Sequence, residues 1–152
     1  AWLGATCEER WMQPVDALVQ EAIGCYGEHF ALVLEDLMAL PDDRPILVEG
    51  TALLPHLVAQ FAAPTHAVWV IPTEAFQRDH YARRDWVAGV LGGCRDPAQA
   101  FQNWMARDAR FAGQVQQEAA ALGFATLLVD GAQNIAQNAA WVERHFEHFA
   151  AA

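Results

Sequence analysis

Three arginines close together, Arg78, Arg83 and Arg84, are the residues whose type and spacing speak most directly of chemistry. A planar guanidinium binds two oxygens of a phosphate or carboxylate at once, so three of them converging through a bent helix or closing loop make a site for an anion. Their spacings of five and six residues do not form one helical stripe. The plainer reading is a solvated helix face paired with Glu74, Asp79 and Asp85. Glu49 and Asp130 both precede a glycine and both follow a short apolar run. Glu49 suits a proton acceptor for a substrate hydroxyl, or a metal ligand acting through water. Asp130 suits a ligand contact. For each, the alternative is a carboxylate that organises its own turn.

Other residues carry weaker signals. His145 and His148 lie three apart on a helical segment, but no cluster of Cys or carboxylate completes a tetrahedral metal set, and no metal is expected. His80 beside the arginines reads as an exposed helix residue, and Cys94 in Gly92-Gly93-Cys94-Arg95 as a passive loop thiol. Six tryptophans are irregularly spaced, as core or interface residues are.

Every fixed positive charge is one of nine arginines, because lysine is absent from the chain. A Schiff-base lysine is excluded, and so is the phosphate loop G-x-x-x-x-G-K-[ST]. The net charge of −10 argues against nucleic acid and anionic membrane as partners. With 54% apolar and 18% charged residues the chain is globular, and 152 residues predict a single domain, 1–152. Cys7, Cys25 and Cys94 make no recognisable disulfide framework, which fits a reducing cytoplasm. No signal peptide and no 18-residue apolar run is present.

The elements that must position these residues follow from periodicity and caps. Thr6-Cys7-Glu8-Glu9 is a capping box opening a helical stretch that extends to about Leu37, bent or split at Gly24 and Gly27 and ended by Pro41. Ile46–Val48, Ala67–Ile71 and Ala125–Val129 read as three buried strands. Between them fall a short helix within 51–61, a Thr73-capped charged helix through about Val87, a loop at Gly89, Gly92 and Gly93, and a helix from the Asp96-Pro97 cap to about Leu122. Asn134 caps a final amphipathic helix. Alternating apolar strands and helices predict an α/β fold: three αβα layers on a short parallel sheet of about three strands. Ligands of such sheets bind beyond the carboxyl ends of the strands, where Glu49, Glu74 and Asp130 would gather.

Arg44-Pro45-Ile46-Leu47-Val48-Glu49-Gly50, Val70-Ile71-Pro72-Thr73-Glu74 and Leu127-Leu128-Val129-Asp130-Gly131 follow one another in an order that resembles the later two-thirds of small phosphate-loop kinases of the nucleoside, nucleotide and gluconate type. The resemblance covers roughly residues 8–148. It implies that Glu49 lies near the phosphate acceptor, that Arg78, Arg83 and Arg84 form a lid over the phosphates, and that Asp130 sits near the nucleotide base. The family's first strand, phosphate loop and following helix have no counterpart, as in a truncated kinase-like domain inactive as a kinase in this form. No cofactor is then expected for this chain alone, and ATP with Mg²⁺ only if a phosphate loop is supplied from elsewhere. Two functions are expected from this reading: binding of a small anionic or phosphorylated ligand, or a non-catalytic oligomerisation or protein-interaction module. A sheet without its central strand also predicts a homo-oligomer.

Overall fold

A computed structural model describes the backbone of residues 4–150 and the side chains of 4–147. Among these residues it contains seven α-helices and one parallel sheet of two strands. The expected three-layer αβα fold on three strands is not formed: the chain is 62% helical, and helices rather than a sheet make most of its core.

The capping box is present at the start of α1 (Cys7–Trp11), where the Thr6 hydroxyl accepts from the Glu9 amide and the Glu9 carboxylate accepts from the Thr6 amide. A turn at Met12–Gln13 leads into α2 (Val15–Met38), which begins after Pro14. Gly24 and Gly27 do not interrupt it. Neighbouring turns of backbone hydrogen bonds hold the helix, and its apolar stripe of Leu18, Val19, Ala22 and Phe30 is buried.

The expected strand at Ile46–Val48 is also not formed. Residues 45–50 are irregular and unpaired, with Ile46 45% and Leu47 85% exposed. An apolar run becomes a strand only when another backbone pairs with it, and among the described residues none does here. After the short α3 (Pro55–Val58) and a 3₁₀ turn at Pro64–His66, the chain enters β1 (Val68–Pro72).

The helix expected from Thr73 to about Val87 is two helices. Thr73 caps α4 (Glu74–Ala82), Arg83 and Arg84 form the corner, and α5 (Asp85–Leu91) follows. Gly89 therefore lies inside a helix, and only Gly92 and Gly93 remain in the turn. The Asp96 carboxylate caps α6 (Pro97–Ala121) by accepting from the Gln99 amide. Gly123, at φ 78°, turns the chain into β2 (Ala125–Val129). Reciprocal hydrogen bonds between Asn134 and Gln137 open α7 (Ile135–Ala150).

The two strands pair in parallel, from Val68 opposite Ala125 to Pro72 opposite Val129. A parallel pair requires a long crossover, and α4, α5 and α6 supply it. Helix α6 is the hub: it packs against α1, α2, α3, α4, α5 and both strands. Leu54, Ile71 and Val115 form one buried cluster near the sheet, and Tyr26 meets Phe111 edge-on at 5.4 Å. A second cluster joins α1, α5 and α6 around Trp11, Leu91, Trp104 and Met105, with Trp11 stacked on Trp104 at 4.7 Å.

Cys7 and Cys94 of this second cluster form a disulfide with Cα atoms 5.0 Å apart, which corrects the expectation of unlinked thiols. The bond ties positions 87 residues apart. In the chain-entropy description such a crosslink disfavours the unfolded state by about 4–5 kcal/mol. Cys25 stays a free thiol, 3.9 Å from the His29 ring. No helix among the described residues is long and apolar enough to cross a membrane.

Candidate functional site

Both strands deliver their carboxyl ends to one place, as expected of a parallel pair. The Thr73 amide donates to the Val129 carbonyl at 2.9 Å, bringing the start of α4 beside the turn Asp130–Gly131. The Asp130 carboxylate accepts from the Ala132 amide at 2.9 Å, the geometry of a side chain organising its own turn. Gly131, at φ 90°, lies against the Phe76 ring. A Cβ added there would meet ring carbons at 3.1 and 3.2 Å. Two depressions of about 180 and 520 Å³ adjoin the turn. Gln133 and Asn138 line both, with Asp130 in the smaller and Phe76 and Ile135 in the larger.

Glu49 is not part of this place. It lies exposed in the irregular segment before Gly50 rather than at a strand end, because its expected strand is not formed. The gathering of Glu49, Glu74 and Asp130 is therefore reduced to Glu74 and Asp130.

The three arginines take separate directions. Arg78 Nε donates to Glu74 Oε1 at 2.9 Å along α4, and its Nη1 donates to Gln102 Oε1 of α6 at 2.5 Å. Arg83 pairs with Asp79 one turn back. Arg84 lies outside α4 at the N-cap of α5, with its guanidinium carbon 4.7 Å from the Tyr81 ring centre and 5.7 Å from that of Trp86. The break at the corner sends Arg84 toward the aromatic cluster, while the i,i+4 geometry of α4 directs the other two along the helix. His80, on the same helix, packs its ring on Phe76 at 4.0 Å.

A polar group absent from the sequence reading lies under α4. Gln77 Nε2 donates to Asp108 Oδ2 at 2.8 Å, and Arg107 Nε approaches Asp108 Oδ1 at 2.6 Å. Burial pushes the Asp108 carboxyl above the usual range, against the opposing pull of Arg107 and of hydrogen bonds from Arg107, Gln77 and Trp104. Arg107 also lies over the Trp11 ring at 5.1 Å. The signal for Asp108 was its position on the apolar stripe of α6, one turn after Trp104 and seven residues before Val115.

On α7 the His145 ring nitrogen Nε2 lies 3.0 Å from the Ala67 carbonyl, and Trp141 stacks on the ring at 5.9 Å. This contact ties the helix to the entry of β1. The side chain of His148, the other half of the expected pair, lies outside the described residues. Among those described, no three His, Cys, Asp or Glu side chains gather as metal ligands do.

No protein-family model, curated protein or solved structure matches the chain.

Proposed function

We propose that this chain is a non-catalytic association module, and that it forms a homo-oligomer through the open edge of β1. The supporting observation is where large apolar side chains meet solvent. Val70 of β1 is 52% exposed, and Ile46 and Leu47 of the unpaired segment are 45% and 85% exposed. A two-stranded sheet leaves a row of backbone donors and acceptors on the outer side of each strand, which is a template for pairing with another chain. The chain carries both parts such pairing needs, an open edge at β1 and an unpaired apolar strand-forming segment at Ile46–Val48. Two copies exchanging them would form a self-complementary contact.

The alternative, a site for a small anionic or phosphorylated ligand, has less support. Arg78 and Arg83 are engaged by carboxylates of their own helix and Arg84 by aromatic rings. Phosphoryl transfer would further require a phosphate cradle with its lysine, which the sequence does not contain.

Light scattering across a wide concentration range tests the proposal. The expected result is a mass above that of the 16.8 kDa chain, reverting to monomer in V70K and L47E with the far-ultraviolet circular dichroism unchanged. A monomer at every concentration overturns it.

A further inference from the structure

We propose that the Cys7–Cys94 disulfide is a redox latch: a dithiol reductant opens it and frees the first turn of α1 while the rest of the fold stays closed. The geometry separates these two parts. Helix α1 has five residues, far fewer than a helix needs to persist in water by itself. It is held at both ends. At its start Cys7 is bonded to Cys94 in the turn between α5 and α6, and the neighbouring Glu8 Oε1 accepts from the Arg95 amide at 2.6 Å. At its end Trp11 is buried, stacked on Trp104, and its carbonyl accepts from Asn103 Nδ2 at 2.8 Å. Opening the disulfide removes the covalent hold at the start and leaves the Trp11 anchor in place. Residues 6–10 then keep their local capping box, the exposed Glu8–Arg95 hydrogen bond is given up to water as the turn swings out, and Trp11 becomes the pivot.

The two cysteines differ in exposure. Cys94 is 7% exposed, whereas Cys7 is half-buried at the surface end of the helix. A thiolate therefore attacks the Cys7 sulfur. The S–S bond breaks, a mixed disulfide forms on Cys7, and the Cys94 sulfur leaves as a thiolate that takes up a proton. The second thiol of the reductant then attacks its own sulfur in the mixed disulfide and releases Cys7 as a thiol. The reductant departs as a cyclic disulfide. Two electrons and two protons pass from the dithiol to the protein. The second cluster, including Leu91, is covered on this side by α1, so its apolar surface is what the open state uncovers.

Dithiothreitol is the probe, applied to the whole chain. Alkylation followed by mass measurement is expected to label Cys25 alone before reduction and all three cysteines afterwards. On reduction, tryptic cleavage after Arg10 is expected to rise about tenfold, as a local opening does, while the amides of α6 and β2 stay protected relative to an unfolded chain, exchanging faster only through the crosslink's lost effect on global unfolding. C25S is expected to respond like the parent chain, and C7S without reductant is expected to match the reduced state. Four results overturn the latch: labelling of Cys7 before reductant is added, reduction that leaves cleavage at Arg10 unchanged, loss of amide protection throughout the chain on reduction, or loss of the response in C25S. The dithiothreitol experiment on the parent chain decides the matter even if C7S does not fold.

Discussion

At the scale of single residues, Asp108 is the side chain with the most to reveal. Its carboxyl is held above the ordinary value of 3.8 chiefly by burial. The folded state therefore favours the protonated form. That contribution to stability is full below the unfolded value and is lost as pH rises through the higher folded one. D108N keeps an oxygen for Gln77 and removes the titration. Denaturant unfolding between about pH 4 and about pH 7 is expected to show a decline for the parent chain that flattens in D108N. Equal slopes for the two proteins would contradict the assignment. Gly131 offers a second measurement. Its positive φ opposes a side chain, and so does the Phe76 ring, which lies 3.1 Å from where a Cβ would stand. G131A is expected to lower stability by about 1–3 kcal/mol, measured by the shift of the denaturation midpoint.

At the scale of elements, α2 shows that backbone permissiveness need not break a helix. Gly24 lies in its interior with open space where a Cβ would stand. Alanine there loses less backbone freedom on folding and meets no neighbour, so G24A is expected to raise stability by about 0.5–1 kcal/mol. Thermal unfolding reads this directly, and a fall in stability would mean that the helix bends at this point. The boundaries of α6 and β2 were legible in the sequence because both are set by local chemistry. Asp96-Pro97 with Gln99 can cap only a helix that follows, and Gly123 supplies the positive φ that ends it. The corner at Arg83–Arg84 was not legible. It carries neither glycine nor proline, and the register of Trp86, Val87 and Leu91 against α6 is what turns the chain there.

For the whole molecule, self-association and folding must be linked. A partner that binds the folded chain alone stabilises it by mass action, so the melting temperature is expected to rise with protein concentration and to become independent of it in V70K. Calorimetry at several concentrations checks this, and an invariant melting temperature in the parent chain would oppose the association proposed above. The distribution of burial points the same way. Two separate apolar clusters flank α6, whereas Met38, Leu47 and Ile135 are each at least 80% exposed. The buried side chains gather around α6, while Val70 and Leu128 within the strands and Ile46 and Leu47 of the irregular segment stay exposed.

The sequence by itself determined what depends on neighbours along the chain: the Thr6–Glu9 capping box, the caps at Thr73, Asp96 and Asn134, strand β2, the absence of lysine and the acidic balance. Only the tertiary structure decided matters that depend on residues distant in sequence. Ile46–Val48 has the composition of a strand, but a strand is a relation between two backbones, and no second strand among the described residues pairs with it. Cys7 and Cys94 pair across 87 residues because α1 packs against the corner between α5 and α6, which no spacing of cysteines encodes. Glu49 left the site with its strand, and Arg78, Arg83 and Arg84 diverged because the helix carrying them ends too soon for all three. Asp108 lies on the apolar stripe of α6 in the sequence, but only the fold brings Gln77 of α4 onto its half-buried carboxyl.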